Sequence, residues 1–490
     1  MFRAFLATGR LLAPLPHQCH IPPRCTSTLH SLQQQRRLRH VYTHGKGFLG
    51  CLGHGDFNER DTLHRVEGCS ALDIRQISAG WTHSAAIDGQ GRLIVWGRPY
   101  DFKGSMRLNN MQRVLPILVR AVNAFTNRGE VIPAPVIVPV RTAAEIAAEP
   151  WDGSPTSKTT QEDPPSKAAP ATTLASSSVH AATTATQAVK ANSDDGHGDS
   201  GTPVRGRDGS YPRAASVACS AALTAVLTEQ GRVYCMGQNR WGQCGQGSTG
   251  AQGPMHVFEP LPVKGKGLSR EKVVKLAVGF QHCLVLCESG VVYGWGKGER
   301  GQLGTGYDAT EDTAVPVQLP GKAVDLSSGF NHAVALLENG DVYIWGKMQH
   351  PEVKTDGGVP LHHDQLLPRK MDIRGGVGIV QAFCSSFHTV LRAEDGTLFM
   401  CGLERDSRVM VNHPVEVDMT SIKPEAFFSG FNDTVLFSTS PTGDRLLDAL
   451  SLTSEGAVRT PLRLPGWQNE DYRSVASVSV GWHHTMVLAR

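Results

Sequence analysis

Residues 329–346 read GFNHAVALLENGDVYIWG, and this stretch decides the fold of the chain. It opens with a glycine-led tetrapeptide, continues as a small apolar run, turns at Asn339-Gly340 and closes with Trp345-Gly346. Asn-Gly is a favoured centre for a two-residue hairpin because that turn requires positive φ angles. Nearly continuous apolar runs are typical of strands covered on both sides. The stretch therefore predicts a β-hairpin buried between stacked sheets.

This pattern recurs along the whole chain. Intact or degenerate copies of the tetrapeptide begin at Gly80, Ser220, Gly279, Gly329, Ser385, Gly430 and Gly481. From Gly279 onward the copies are roughly 50 residues apart, a period typical of repeat arrays that close into rings.

The two ends of the chain complement each other. The copy at Gly481 lacks a returning strand, whereas Val41-Tyr42-Thr43-His44-Gly45 has the form of such a strand. We therefore predict an all-β fold over residues 41–490, a seven-bladed β-propeller in which the N- and C-terminal strands pair within one blade. Such closure leaves no open sheet edge between the ends.

A long insertion separates the first two copies, after Trp96-Gly97. In residues 103–140, apolar side chains between Leu108 and Phe125 recur at helical spacing with arginines between them, which predicts an inserted amphipathic helix. This helix either packs on the propeller rim or docks a partner. Residues 141–215 are rich in Ala, Thr, Ser and Pro, so we predict that they are disordered.

The N-terminal segment is basic and contains no acid. Residues 1–40 contain six arginines, and the first Asp or Glu is Asp56. This composition predicts a mitochondrial transit peptide, the alternative being a disordered basic tail with a weak nuclear address at Arg36-Arg37-Leu38-Arg39. Without these residues, 42 of the 48 basic residues remain against 45 acids, so the body has no bulk attraction for nucleic acid.

Two further classes are disfavoured by the sequence. No apolar run approaches the ~18 residues that a membrane-spanning helix needs, so an integral membrane protein is not expected. The eleven cysteines occur singly, without a zinc-ligand spacing, so we expect a reduced compartment and no structural metal.

The repeat has a family counterpart. Leu326 to Leu336 reads as an apolar residue, two small residues, Gly, two variable residues, His, a small residue and an apolar strand, and Ile77 to Ile87 fits equally well. These residues resemble the regulator of chromosome condensation family over about residues 41–101 and 216–490. The resemblance implies a seven-bladed propeller. The signatures of WD and kelch repeats are absent from the corresponding places.

The residues that recur once per repeat are expected to be structural. A side chain that recurs in every unit is placed by packing in every unit. We expect glycines where no Cβ fits, histidines that tie a loop or neighbouring strand, and tryptophans between blades. The residues so assigned are Gly80, His83, Trp96, Gly97, Gly279, His282, Trp295, Gly296, Gly329, His332, Trp345, Gly346, His388, Gly481 and His484.

No catalytic, cofactor-binding or metal-binding residue is predicted. The glycine-rich loops match neither the dinucleotide fingerprint nor a phosphate-binding P-loop, and no nucleophile elbow occurs. We therefore do not expect an enzyme that makes or breaks covalent bonds.

The predicted function is that of a monomeric, non-catalytic, mitochondrial propeller that binds proteins. The resemblance implies an assembly factor that contacts components of the mitochondrial ribosome, or a guanine-nucleotide exchange factor for an organellar GTPase. A nuclear exchange factor for the Ran GTPase and an adaptor without a GTPase partner are the open alternatives.

Overall fold

The computed structural model describes residues 38–98, 132–140, 212–354, 360–373, 376–404, 410–419, 422–429, 434–468 and 471–490. Within these ranges the chain is all-β, and its helices are short 3₁₀ turns at Phe48–Gly50, Glu67–Cys69, Leu268–Arg270 and Asp471–Ser474. The predicted fold class is confirmed.

The strands form antiparallel four-stranded units that follow one another along the chain. Unit 1 contains β3 (Ile74–Ala79), β4 (His83–Asp88), β5 (Leu93–Gly97) and β6 (Ile132–Val138). Unit 2 contains β7 (Ala214–Cys219), β8 (Leu223–Thr228), β9 (Val233–Gln238) and β10 (His256–Pro262). Unit 3 contains β11 (Val273–Val278), β12 (His282–Cys287), β13 (Val292–Gly296) and β14 (Glu311–Pro316).

The next three units complete the central part of the chain. Unit 4 contains β15 (Ala323–Ser328), β16 (His332–Leu337), β17 (Val342–Lys354) and β18 (Pro360–Lys370). Unit 5 contains β19 (Ile379–Cys384), β20 (His388–Ala393), β21 (Leu398–Leu403) and β22 (Met410–Val417). Unit 6 contains β23 (Lys423–Ser429), β24 (Thr434–Thr439), β25 (Arg445–Thr453) and β26 (Gly456–Pro461).

The closing unit joins the two ends of the chain. Its strand order is β2 (Arg60–Arg65), β1 (His40–Gly45), β28 (His484–Ala489) and β27 (Val475–Val480). Strands β1 and β28 pair without a break from His40 opposite Ala489 to Gly45 opposite His484. The predicted pairing of the terminal strands is therefore present.

Units 5 and 6 form one eight-stranded sheet, because their outer strands β22 and β26 run in parallel and pair at Val417 and Ala457. Each unit otherwise contacts the next in a cycle that returns from unit 6 through the closing unit to unit 1. Because two units share a sheet, the count of seven separate blades stays a prediction.

The core lies between neighbouring units. One buried cluster joins Val41 and Met486 of the closing unit to Ile74 and Trp96 of unit 1. Since each sheet buries both faces against its neighbours, the second and third strands read as continuous apolar runs, as in β12 and β16.

The range predicted for the helical insertion needs a correction. Residues 132–138 are not helical but form β6, in which Ile137 pairs with Ile94 and Val136 with Val95. Pro133 and Pro135 lack an N–H and fit an edge strand better than a helix. The segment 103–131 lies outside the described residues, as do residues 141–211 of the predicted disordered segment. The last residues of the range 141–215 begin strand β7.

The antiparallel order defines two faces of the ring. The connections from first to second strand and from third to fourth strand lie on one side, which we call the loop face. The hairpins between second and third strands lie on the other side, which we call the hairpin face. Strand β5 therefore ends and strand β6 begins on the loop face, whereas β6 ends and β7 begins on the hairpin face.

Candidate interaction site: the seams between units and the two faces

The repeat histidines bridge neighbouring units. Four of them are buried and place Nε2 within hydrogen-bond distance of a hydroxyl of the following unit. The pairs are His484 with Ser84 (2.7 Å), His83 with Thr224 (3.0 Å), His282 with Ser328 (2.9 Å) and His332 with Thr389 (3.2 Å). The fifth, His388, instead bonds the Leu403 carbonyl within its own unit at 2.7 Å.

Burial determines the charge state of these rings. Desolvation lowers the pKa of His83 and His332 to about 4, and that of His282 and His484 to about 3. A buried imidazole away from a carboxylate loses stability when charged. These histidines are therefore neutral at neutral pH and act as hydrogen-bonding bridges.

The repeat glycines make room for these rings. A Cβ on Gly279 would lie 2.0 Å from His282 Cε1, and one on Gly329 would lie 2.3 Å from His332 Cε1. Gly329 also approaches the Ser385 carbonyl of the next unit, which a Cβ would meet at 2.5 Å. Gly80 and Gly481 are confined in the same way by His83 and His484. Glycine is required here by close approach.

The repeat tryptophans donate hydrogen bonds to the preceding unit, and we call each of these contacts a tryptophan clamp. Trp96, Trp295 and Trp345 are fully buried. Each indole Nε1 donates to a carbonyl in the glycine-rich loop of the unit before it: Trp96 to Cys51 (2.8 Å), Trp295 to Gln243 (3.0 Å) and Trp345 to Gln302 (3.0 Å). The glycines that follow them, which pair with the repeat histidines, have positive φ angles: Gly97 (88°), Gly296 (98°) and Gly346 (100°).

An aromatic cluster lies near the axis on the loop face, and sequence reasoning missed it. Phe280 and Phe330 stack at 4.1 Å between ring centroids, Phe330 lies 5.4 Å from Phe387, and Trp81 contacts both Phe280 (4.6 Å) and Trp482 (3.6 Å). The signal was present, because four of these residues directly follow a repeat glycine. Four residues of this axial cluster, Trp81, Phe280, Phe330 and Trp482, line a cleft of about 500 Å³, including its open mouth.

Backbone hydrogen bonds tie the same axial loops together. The Phe280 N–H donates to the Phe330 carbonyl at 3.1 Å, and the Phe330 N–H donates to the Ser386 carbonyl at 2.8 Å. Trp81 N–H donates to Ser220 O at 3.2 Å in the same sense around the ring. The axial end of the loop face is thus a packed structural element.

The seams are not equivalent. Histidine bridge and tryptophan clamp occur together between the closing unit and unit 1, and between units 3 and 4. Units 2 and 3 have only the clamp, because Leu223 replaces the histidine. Between units 5 and 6 neither device occurs among the described residues, and the degenerate copy Gly430 to Asp433 lies outside them.

The described part of the chain offers no obvious chemical centre. Within it, no group of three or more His, Cys, Asp or Glu side chains could hold a metal ion. No helix in the same residues has the length and apolar character to span a bilayer. Burial raises the pKa of the Cys51 thiol to about 12, and that of other core cysteines in the same direction, so these thiols stay protonated.

Family models match this arrangement directly. The regulator of chromosome condensation (RCC1) repeat model matches residues 40–87, 230–286 and 289–336, and a second RCC1 repeat model matches residues 74–102, 273–302 and 323–350. The chain contains RCC1 repeats over these residues. The matched ranges contain three of the five repeat histidines, His83, His282 and His332. They also contain all three tryptophans that donate to the preceding unit, namely Trp96, Trp295 and Trp345.

Relatives of the RCC1 repeats include proteins of diverse size. The human E3 ubiquitin-protein ligase HERC2 is 30% identical over 300 residues, which is 58% of this chain and 5% of HERC2. The mitochondrial RCC1 domain-containing protein RUG3 of Arabidopsis thaliana is 26% identical over 279 residues, covering 57% of this chain and 42% of RUG3. The chain thus spans less than half the length of either relative.

Two further proteins are similar to this chain, one in sequence and one in structure. The secretion-regulating guanine nucleotide exchange factor of Bos taurus is 40% identical over 82 residues, 17% of this chain and 16% of the factor. The crystal structure of Prp20p from Saccharomyces cerevisiae, reported with its binding to Gsp1p and histones, superposes with a TM-score of 0.59 at 16% identity, covering 93% of this chain and 92% of Prp20p. At that identity the likeness shows the fold alone.

Proposed function

We propose that this RCC1-repeat propeller is a non-catalytic protein-binding protein of mitochondria. It acts either as a scaffold in assembly of the mitochondrial ribosome or as a guanine-nucleotide exchange factor for an organellar GTPase. The observation that supports a binding role is the burial of the repeated polar side chains in the seams, as in His282 with Ser328 and Trp345 with Gln302. Recognition then falls to the loops on the two faces, since the repeated groups already hold the ring together.

The mitochondrial part of the proposal is supported by composition and by one relative. Residues 1–40 contain six arginines and no acid, which is typical of segments that direct import. RUG3, a relative over 57% of this chain, is named as mitochondrial.

An exchange role would be mechanical. A propeller that binds the nucleotide-free state of a GTPase more tightly than the nucleotide-bound state shifts the equilibrium toward release. The name of the Bos taurus relative supports this branch of the proposal. The scaffold branch needs no such difference in affinity.

The deciding experiment is proximity labelling in cells, followed by isolation of mitochondria. The full chain is fused at its C-terminus to a labelling enzyme and a fluorescent protein. We expect mitochondrial fluorescence and enrichment of ribosomal proteins or of one GTPase. A matched fusion without residues 1–37 should lose the mitochondrial signal. Enrichment of a GTPase would be followed by nucleotide-release kinetics with the purified pair. Exclusively nuclear or cytosolic fluorescence of the full chain would overturn the mitochondrial proposal.

A nuclear exchange factor of the Ran type is the second candidate. The basic run Arg36-Arg37-Leu38-Arg39 favours it, because clusters of this kind can serve as nuclear addresses. Nuclear fluorescence that is lost when these arginines are replaced by glutamine would support this candidate over the mitochondrial one.

A further inference from the structure

On the hairpin face, successive units are joined by a repeated backbone contact. The N–H at the start of a first strand donates to the hairpin glycine of the unit before it. The pairs are Ala214 to Gly91 (2.8 Å), Val273 to Gly231 (3.0 Å) and Ala323 to Gly290 (2.9 Å). The approach is close, since a Cβ on Gly231 would lie 2.5 Å from Lys272 Cγ. Units 1 to 4 are therefore tightly joined on this face.

The later hairpins lack this contact. A Cβ built on Gly340, Gly396 or Gly443 would meet no atom within 4 Å. Between units 5 and 6 the reason lies in the sequence. Pro424 pairs with Ser438 immediately before the register shift, as Ala214 pairs with Thr228. Proline has no N–H, so the Gly396 carbonyl cannot receive the bond that its counterparts receive.

The open seam forms a groove, which we call the Pro424 groove. It has a volume of about 1450 Å³, including its open mouth, and lies between the unit 5 hairpin and the described residues that end β22 and begin β23. Met419 and Ile422 contribute apolar surface to its lining. The units stay joined at the rim of the ring, through the parallel pairing of Val417 with Ala457.

The charged lining of the groove is predominantly acidic. Its carboxylates are Glu394, Asp395, Glu416 and Asp418, and its cations are Arg392 and Lys423. In unit 2 the corresponding hairpin glutamate, Glu229, lies 3.5 Å from Arg213 of the preceding segment. In unit 5 the equivalent backbone hydrogen bond runs from the Glu394 N–H to the Gly378 carbonyl. Gly378 thus stands where unit 2 has Arg213, and it brings no positive charge.

We propose that the Pro424 groove binds an extended, basic segment of a partner protein. A backbone N–H of the segment takes the place of the missing donor at the Gly396 carbonyl, and its Lys or Arg side chains face Glu394 and Glu416. Addition of an extended segment to unsatisfied backbone groups supplies affinity, and the flanking side chains supply specificity. This inference rests on the proposed protein-binding function and names a surface for it.

The test uses the full chain and fluorescence anisotropy with labelled synthetic nonapeptides. The probe alternates lysine and valine, a second peptide replaces the lysines with glutamate, and a third carries N-methylated valines that keep the charge but remove N–H donors. We expect the lysine peptide to bind, and the other two to bind at least about tenfold more weakly.

Charge-reversal variants locate the binding. The double variant Glu394→Lys/Glu416→Lys should weaken the lysine peptide by about tenfold or more, because two attractive contacts become repulsive. The matched control Glu338→Lys changes the same hairpin position in unit 4, outside the groove, and should have little effect. Equal losses in both variants, equal binding of the glutamate peptide, or occupation of the groove by a second copy of the chain in sedimentation would overturn the proposal.

A third variant tests the role of the proline. Pro424→Ala restores an N–H at the donor position, so it should raise the melting temperature and weaken the lysine peptide. Pro316→Ala, at the end of β14, controls for the general loss of a proline. Undiminished peptide binding by Pro424→Ala would contradict the proposal. These assays use synthetic peptides and no natural partner. A negative result would therefore refute the groove proposal only, and the proposed function would still be tested by the labelling experiment.

Discussion

One methyl group can test how closely the repeat glycine and histidine approach each other. In Gly279→Ala the new Cβ would lie 2.0 Å from His282 Cε1, in a fully buried site. The ring must move, which lengthens its contact with Ser328. We expect a loss of roughly 2–3 kcal/mol in the free energy of unfolding, as for other overpacked cores. Chemical denaturation would measure it.

The matched control for this substitution is Gly321→Ala. Its Cβ would meet only Leu337 Cδ1 at 3.5 Å, an ordinary van der Waals distance. We expect a change within about 0.5 kcal/mol, as for surface positions. A Gly279→Ala protein as stable as Gly321→Ala would show that the seam has room to adjust.

The tryptophan clamp can be tested separately from apolar burial. Trp345→Phe keeps an aromatic ring but removes the indole N–H that reaches the Gln302 carbonyl at 3.0 Å. We expect a loss of about 1–3 kcal/mol from the unsatisfied carbonyl, with a further loss from the smaller ring. Trp467→Phe is the control, because Trp467 is half-buried and makes an edge contact with Tyr42 that a phenyl ring can retain. Equal stability of the two variants in urea would argue against the clamp.

At the scale of elements, hairpins were predictable because their signals are local. The Asn339-Gly340 turn and the two flanking apolar runs lie within a single stretch, and β16 and β17 pair as expected. Strand β6 could not be recognised in the same way, because its partner β5 lies beyond a 34-residue excursion and its prolines resemble those of a linker. Pairing across such a distance depends on tertiary contacts that local propensity does not encode.

The seam residues were predictable from the sequence only in part, and the Pro424 groove was not. The repeat signalled which residues are structural, but not their hydrogen-bond partners. Ser84, Thr224 and Thr389 each directly follow the repeat-histidine position of their own unit and bond the histidine of the unit before. In unit 4 the residue after the repeat histidine is Ala333, which has no hydroxyl. Ser328, on the neighbouring strand, bonds His282 instead. The Pro424 groove depends on a hydrogen bond that is missing, which only alignment of the strand registers makes visible.

Two deletions distinguish the strand from the segment that follows it. Deleting residues 145–210 should shift the melting temperature by less than about 3 °C, because their composition predicts no core and loop length costs little. Deleting residues 132–138 removes β6, the outer strand of unit 1, and should destabilise the protein strongly. Differential scanning fluorimetry would compare them. A large loss from the first deletion would show that the segment contributes to the folded structure.

At the scale of the whole molecule, the contacts between neighbouring units differ around the ring. The closing unit and units 1 to 4 combine histidine bridges, tryptophan clamps and hairpin contacts. Units 5 and 6 are joined instead by a buried apolar cluster and by a shared sheet at the rim. Opening of the ring should therefore begin beside units 5 and 6, where fewer polar groups must be separated. This asymmetry also explains why a groove can exist there without breaking the ring.

Acid should loosen the whole ring, since four of its seams contain a buried neutral histidine. Burial lowers the pKa of His83 and His332 to about 4, and that of His282 and His484 to about 3, from the ordinary value of 6.5. Below pH 6.5 the unfolded chain therefore binds more protons than the folded chain. Stability is full above that pH and falls as the pH is lowered, by about 2 kcal/mol per histidine at pH 5.

Urea unfolding at pH 7.5, 6 and 5 would measure this dependence. His83→Gln removes one buried titrating group, so its stability should fall less steeply between pH 7.5 and pH 5 than that of the unmodified protein. His64→Gln, which replaces an exposed histidine of β2, is the control variant. A free energy of unfolding that stays constant from pH 7.5 to pH 5 would mean that the histidines are not held neutral, and the bridges would then need another explanation.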